Sequence, residues 1–195
     1  MKVMIYLFGP AGCGKLTIAK KICGLCPSLK LIHNHHVNNV ILDIVNPDGK
    51  TKLPKYVWDN VALVRRVVLN TVKATDRNEG YIFTNVLSEN CASDLAVYEE
   101  MRAVATAKHL AFCPVRLSIA LDELCRRVVS PERVAMLKDI SSDNARHYHE
   151  TQIAMRPSDD HLEMDVTTLS PEESAGRIVD WAGSRTCAAG SRLGI

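Results

Sequence analysis

The chain has 195 residues, 47% hydrophobic and 24% charged, a composition that suits one folded domain and excludes a disordered or low-complexity segment. Lys and Arg number 24 against 22 Asp and Glu, a net charge of +2, so no overall field favours nucleic acid or an anionic membrane, and any basic site must be local. The seven cysteines are odd in number and widely scattered, which argues for reduced thiols rather than a disulfide framework.

In chain order, Val3 to Phe8 is a continuous apolar run closed by Gly9-Pro10, the pattern of a buried central parallel strand. It is too short to span a bilayer and leads into glycines, which predicts a cytoplasmic protein without a membrane segment. Leu16, Ile18, Ala19, Ile22 and Cys23 then recur at helical spacing. Cys23 and Cys26 lie late in that helix with no second pair or nearby histidine, so a zinc or redox role is not assigned. A second strand is predicted at Leu29 to Ile32, followed by the polar cluster His33-Asn34-His35-His36, a short amphipathic segment from Val37 to Val45, and a turn-rich loop at 46–50.

Val57, Val61, Val64, Val68 and Val72 share one helical face over 55–74, with Arg65 on its border. A third strand is expected at 81–87, a helix at 94–108 and a fourth strand at 115–120. A helix over 121–129 is interrupted at Ser130-Pro131-Glu132 and resumes from Arg133 to about 155, and a fifth strand follows at 161–166. Ser170-Pro171-Glu172-Glu173 reads as a helix start: Ser at the N-cap, Pro at the first helical position and acids in the first turn. No repeat or linker divides the chain, so residues 1–182 form one domain and 183–195, which show no clear periodicity, are read as a tail.

Strands alternating with helices predict an α/β fold, a parallel sheet covered on both faces, with ligands gathered at the carboxyl ends of the strands. The first such end carries Gly9-Pro10-Ala11-Gly12-Cys13-Gly14-Lys15-Leu16-Thr17 between a strand and a helix, the context that a Walker A phosphate loop requires. Its glycines let successive backbone N–H groups turn to one phosphate, the helix N-terminus adds its positive end, and Lys15 reaches the β and γ oxygens. Leu16 stands where the common pattern has Ser or Thr, and Thr17 comes next.

Over roughly residues 2–181 the sequence resembles the P-loop small-molecule and nucleoside monophosphate kinases, shikimate kinase-like and adenylate kinase-like, and bacterial P-loop kinase-like proteins that share Gly-Lys-Leu-Thr, a His-Asn-His after strand two and an Arg-rich lid. The resemblance implies a three-layer α/β/α domain on a five-stranded parallel sheet, an acceptor-binding region at 36–56 and a lid at 126–140. It also implies a phosphotransferase that uses ATP and Mg²⁺, with Thr17 serving the phosphates or a metal-bound water. Asn34, His35 and Arg65 fall where the acceptor binds, and Arg65 suits an anionic group because its fork of donors matches carboxylate or phosphate. Where shikimate and gluconate kinase-like proteins place an acid at the end of strand two, this chain has Asn34, His35 and His36, leaving His35 as base or orienting group, or as a structural imidazole. A zinc site from His33, His35 and His147 or His149 is disfavoured. In the lid, Arg126 and Arg133 are the preferred pair to neutralise the transferring phosphoryl group. Asn85 replaces the acid that related kinases carry after strand three, so Mg²⁺ would lean on the nucleotide's own phosphates.

The expected acceptor is a small molecule with a hydroxyl or phosphate. Without a basic aromatic stripe, nucleic acid is an unlikely partner, and the sequence gives no oligomeric state. The alternative reading is a nucleotide-binding regulatory protein, or an NTPase with weak or no transfer.

Overall fold

The computed structural model describes residues 1–77, 79–88, 90–134, 138–151 and 160–190. Five parallel strands, β1 (Val3–Phe8), β2 (Leu29–His33), β3 (Gly80–Asn85), β4 (Ala111–Ser118) and β5 (Leu162–Asp165), form one sheet in the order β2-β3-β1-β4-β5. Among the described residues eight helices connect and cover them: α1 (Lys15–Leu25), α2 (Asn34–Val45), α3 (Lys55–Ala74), α4 (Ala92–Ala107), α5 (Leu121–Val128), α6 (Pro131–Val134), α7 (Ser142–Glu150) and α8 (Pro171–Gly190).

All six residues of β1 are buried, because the central strand is covered on both faces. The strand's period of two divides them between layers. Val3, Ile5 and Leu7 pack towards Ile18, Ala19 and Ile22 of α1 and Ala175, Ile178 and Ala182 of α8. Met4, Tyr6 and Phe8 pack towards Leu69 and Val72 of α3 and Val97, Tyr98 and Met101 of α4. This is the expected three-layer α/β/α arrangement. The parallel register brings Phe8 beside Asn85, and Thr84 beside both Leu7 and His33, so the carboxyl ends of β1, β2 and β3 open on one edge.

Several boundaries differ from the sequence expectation. α2 starts at Asn34, so the histidine cluster is the end of β2 and the first turn of a helix rather than a loop. β4 begins four residues before Val115, on the far side of Pro114. β5 pairs with β4 only from Val115 onward, so on that side Pro114 breaks no ladder. The continuous helix expected from Arg133 is instead the short α6 and the separate α7. Between them Asp139 accepts from Ser141 N–H and Asn144 Nδ2 at 2.9 Å each, and Ser141 caps Asn144 N–H at 3.2 Å, local bonds that compete with helix continuation. Residues 152–155 of that expected helix lie outside the described residues. β3 ends at Asn85, not 87. At the other end of the chain α8 runs on to Gly190, so the segment read as a tail from 183 is helical that far. Its start is the expected one: Ser170 Oγ accepts Glu173 N–H at 3.1 Å and Glu173 Oε2 accepts Ser170 N–H at 2.9 Å, a reciprocal capping box. Among the described residues no helix is long and apolar enough to cross a membrane.

Candidate functional site

The loop after β1 is shaped by its glycines. Gly12 and Gly14 have φ of +99° and +97°, where an L side chain is strained, and a Cβ on Gly9 would lie 2.6 Å from the Leu117 carbonyl oxygen. Gly14 caps α1 without a side chain, and no acid stands in the first turn, so the helix N-terminus is left open to an anion. Lys15, 8% exposed, curls back over the loop and donates to the Gly9 and Pro10 carbonyl oxygens at 2.8 Å each. Burial, and after it the charge of Arg133, push its ammonium pKa down.

This loop forms one end of a cleft of about 1180 Å³, large beside the ~300–1,000 Å³ common for single small-molecule pockets. Among the described residues seven cations line it, Lys15, Lys50, Lys52, Arg65, Arg127, Arg133 and Lys138, against three carboxylates, Asp59, Asp94 and Asp139. For a chain with net charge +2, that is a strong local concentration of positive charge.

Around the glycine loop, Ala11 to Thr17 line the cleft, Leu16 and Thr17 included, whereas Gly9 and Pro10 of the expected Gly9 to Thr17 set are not among its lining residues. Arg133 faces it as well, its guanidinium half-buried and anchored to the Asp139 carbonyl oxygen at 2.6 and 3.2 Å. Arg126 does not. Its side chain is 72% exposed and locked to Glu123 by bonds of 2.6 and 2.7 Å, outside the cleft lining. The next residue, Arg127, takes the inward place: it bonds Glu123 at 2.6 Å and the Thr167 carbonyl oxygen at 3.2 Å, joining α5 to the loop after β5. The sequence pairs Arg126 with Arg133, whereas the helical phase of α5 turns Arg127 inward.

At the far end, Asn34 N–H donates to Thr84 Oγ1 and Thr84 Oγ1 donates to Asn34 Oδ1, both at 3.2 Å. His35 lines the cleft with Nδ1 3.3 Å from Asn39 Oδ1. Burial, then Lys138, push its pKa down to about 4, so the ring is neutral at pH 7. His33 stacks on His36 with ring centres 3.6 Å apart and is also pushed down to about 4, first by burial. His149 Nε2 bonds the Ile119 carbonyl oxygen at 2.9 Å, which makes that nitrogen a donor and removes it from metal ligation. Asn85 donates from Nδ2 to the buried Tyr6 hydroxyl at 3.2 Å while its Oδ1 accepts Val86 N–H at 2.9 Å, so its amide helps fix the end of β3. Arg65, 26% exposed with Nε 3.7 Å from Glu100 Oε2, lines both the cleft and a side cavity of about 40 Å³. Asn34, Asn38, Thr84, Asn85 and Tyr6 furnish the polar groups of that cavity, and Val68, Val97 and Met101 are among its apolar walls.

Sequence reading missed several lining residues, Asp94, Trp58 and Tyr148, whereas Lys138 falls within the lid expected at 126–140. None belongs to a motif; each is delivered by the phase of a helix or by a loop lying across the cleft. One such crossing is direct, the Ile140 N–H donating to the Gly49 carbonyl oxygen at 3.0 Å, which ties the 46–54 loop to the segment between α6 and α7. Gly49 has φ +72°, and a Cβ there would meet the Lys138 carbonyl oxygen at 2.9 Å.

No protein-family model matches the chain, and no curated protein is similar to it in sequence. In structure it is similar to a gluconokinase from Sinorhizobium meliloti (13% identity, TM-score 0.69, covering 99% of this chain and 98% of that one). A sugar kinase from Janibacter sp. is also similar (15% identity, TM-score 0.65, 97% and 98% covered). So is a shikimate kinase from Acinetobacter baumannii (17% identity, TM-score 0.52, 93% of each chain). The likeness to these three solved structures is one of fold.

Proposed function

We propose that this protein is an ATP-dependent phosphotransferase that moves the γ-phosphate to a hydroxyl or phosphate of a small molecule. The observation that carries the reading is one continuous cleft lined by Lys15 and its glycine loop, by Arg65 and His35, and by Arg133. Its size suits two ligands, and its excess of cations suits a nucleoside triphosphate beside an anionic or oxygen-rich acceptor. The kinase names of the structural neighbours accord with this.

Lys15 would exchange its two loop carbonyls for the β and γ oxygens when nucleotide binds, since both partners sit in the loop that receives those phosphates. Thr17, two residues further along α1, offers a hydroxyl oxygen of the kind Mg²⁺ accepts, directly or through water. Mg²⁺ bound with the nucleotide supplies charge neutralisation across its phosphates. Among the described residues no cluster of three or more His, Cys, Asp or Glu is assembled to hold the ion, so the nucleotide and water would fill most of its shell. Arg133 would offset charge on the transferring oxygens, with Arg127 bracing the lid's base against the loop after β5. Arg65 would anchor the acceptor. The neutral His35 would orient it by a hydrogen bond, because a ring pushed down to about 4 is a poor proton store at neutral pH.

The test is incubation with γ-labelled ATP and Mg²⁺ and a pooled panel of nucleosides, sugars, hydroxy acids, antibiotics and nucleotides, with Lys15→Ala as control. Label in one compound with wild type alone is the expected result. Tight ATP binding without transfer to any compound or to water would move the reading to a nucleotide-binding regulatory protein.

A further inference from the structure

Resting on the phosphotransferase reading, we infer that Asp94 is the residue that accepts the proton of the acceptor hydroxyl, which His35 helps to orient. The end of β2, where an acid is expected for this task, offers only an amide and a neutral ring. A carboxylate reaches the same region from another element. Asp94 lies in the first turn of α4, and Val97 and Met101 follow it at spacings of three and seven, on one helical face. Val97 and Met101 wall the small cavity beneath Arg65, while Asp94 and Val97 line the main cleft. Asp94 thus stands at the seam where that cavity opens into the space containing the phosphate loop, and an acceptor seated against Arg65 would present a hydroxyl there.

The other two carboxylates of the cleft are committed elsewhere. Both oxygens of Asp59 take the Lys55 ammonium, at 2.7 and 2.9 Å, and both oxygens of Asp139 fix the turn before α7. Asp94 is held more lightly, by Ser88 N–H on Oδ2 at 2.9 Å and by the Cys91 thiol. These leave acceptor positions unused on a group that has about four. The charged and titratable groups facing it are Arg65 from α3, Tyr6 from β1, Cys91 beside it and Tyr148 from α7. Burial outweighs the Ser88 N–H bond and Arg65 and raises the carboxyl above its ordinary range, the direction that suits a proton acceptor.

In the step, the acceptor O–H donates to the Asp94 carboxylate. As the acceptor oxygen bonds to the γ-phosphorus, the bond from that phosphorus to the β,γ-bridging oxygen breaks, and its electron pair leaves with ADP. The proton rests on Asp94 and passes to solvent after release, giving phosphorylated acceptor, ADP and one H⁺.

The experiment follows label from γ-labelled ATP and Mg²⁺ into a pool of polyols and hydroxy acids, counting hydrolysis to water as transfer, for wild type, Asp94→Asn and Asp94→Glu. Asp94→Asn keeps an oxygen for Ser88 N–H and should melt near the wild-type temperature with nucleotide affinity within about twofold, yet lose roughly 10²–10⁴-fold in kcat. The acid limb of its kcat/KM profile should vanish, and Asp94→Glu should recover part of the rate. Asp94→Asn turning over within threefold of wild type overturns the proposal and leaves the phosphotransferase reading intact. So does a wild-type profile with no acid limb above the ordinary carboxylate range, a measurement that decides even should the variant fail to fold. A wild type that binds ATP but neither transfers nor hydrolyses it overturns both.

Discussion

The two ends of the cleft are built in different ways. The donor end is backbone: nine consecutive residues, two glycines at positive φ, a bare helix N-terminus and one lysine curled within the loop it serves. The acceptor end is side chains brought from α2, α3, α4, the 46–54 loop and the segment before α7. A backbone site tolerates little change and has one purpose, whereas a side-chain site can be rewritten one residue at a time without disturbing the sheet. On the proposed function, damage at the donor end should therefore abolish all chemistry, and damage at the acceptor end should alter which molecule is used and how tightly.

Lys15→Ala is the sharpest way to break that contrast. It removes the charge nearest the donor phosphates and no part of the apolar core, so transfer to any acceptor should fall by about 10²–10³-fold or more while the melting temperature stays close to wild type. Steady-state transfer assays and a thermal melt check both halves; retained turnover would sink the donor-site reading. Arg133→Ala comes next, with an expected loss on the order of 10²-fold in kcat, because its guanidinium faces the cleft. Arg126→Ala is its control. An exposed pair with Glu123 contributes little, and the rate should stay within about twofold. Equal losses in the two variants would mean that α5 rotates on closure and that Arg126 enters the site after all.

The same contrast explains what could be read from the sequence. The sheet, its helices and the phosphate loop were legible because each depends on local pattern: an unbroken apolar run such as Val3 to Phe8, glycines at fixed offsets, Ser170-Pro171 at a helix start. The split between α6 and α7 was obscured because the turn at Asp139 is made by side-chain bonds that imitate helix termini. The sequence does not set Arg127 above its lid neighbour Arg126 because one residue of helical phase separates a cleft arginine from a surface one, and that phase is set by Leu124 and Val128 packing into the core. Asp94 is read from the sequence as a helix start, whereas α4 begins at Ala92 and Asp94 sits in its first turn; its position near Arg65 depends on the tertiary meeting of α3 and α4. Acceptor chemistry is written in such meetings, so it cannot be found by scanning along the chain.

Arg65→Ala sharpens the comparison from the other end. Arg65 is distant in sequence from the phosphate loop, and its loss should raise KM for an anionic acceptor roughly 10-fold or more with a smaller change in kcat and unchanged nucleotide affinity. A fall in nucleotide affinity instead would show that the cations act as one field and that the two ends are not separable.

The smallest expected effect concerns stability rather than chemistry, and it too divides the two ends. His33 closes β2 and His35 lies in the first turn of α2, and both are pushed down from 6.5 to about 4, chiefly by burial, with Lys138 adding to each. A group whose folded pKa is depressed contributes its full stability above its unfolded pKa and loses it as pH falls towards the folded value. Acidification from about 6.5 to about 4 should therefore lower the melting temperature progressively, since the unfolded chain takes up protons there that the folded one refuses. The double substitution His33→Gln and His35→Gln should flatten that dependence within the same window, while Lys15→Ala should leave its steepness nearly unchanged. If the double variant kept the full slope, the acid sensitivity would come from the carboxylates and not from the rings packed at the start of α2.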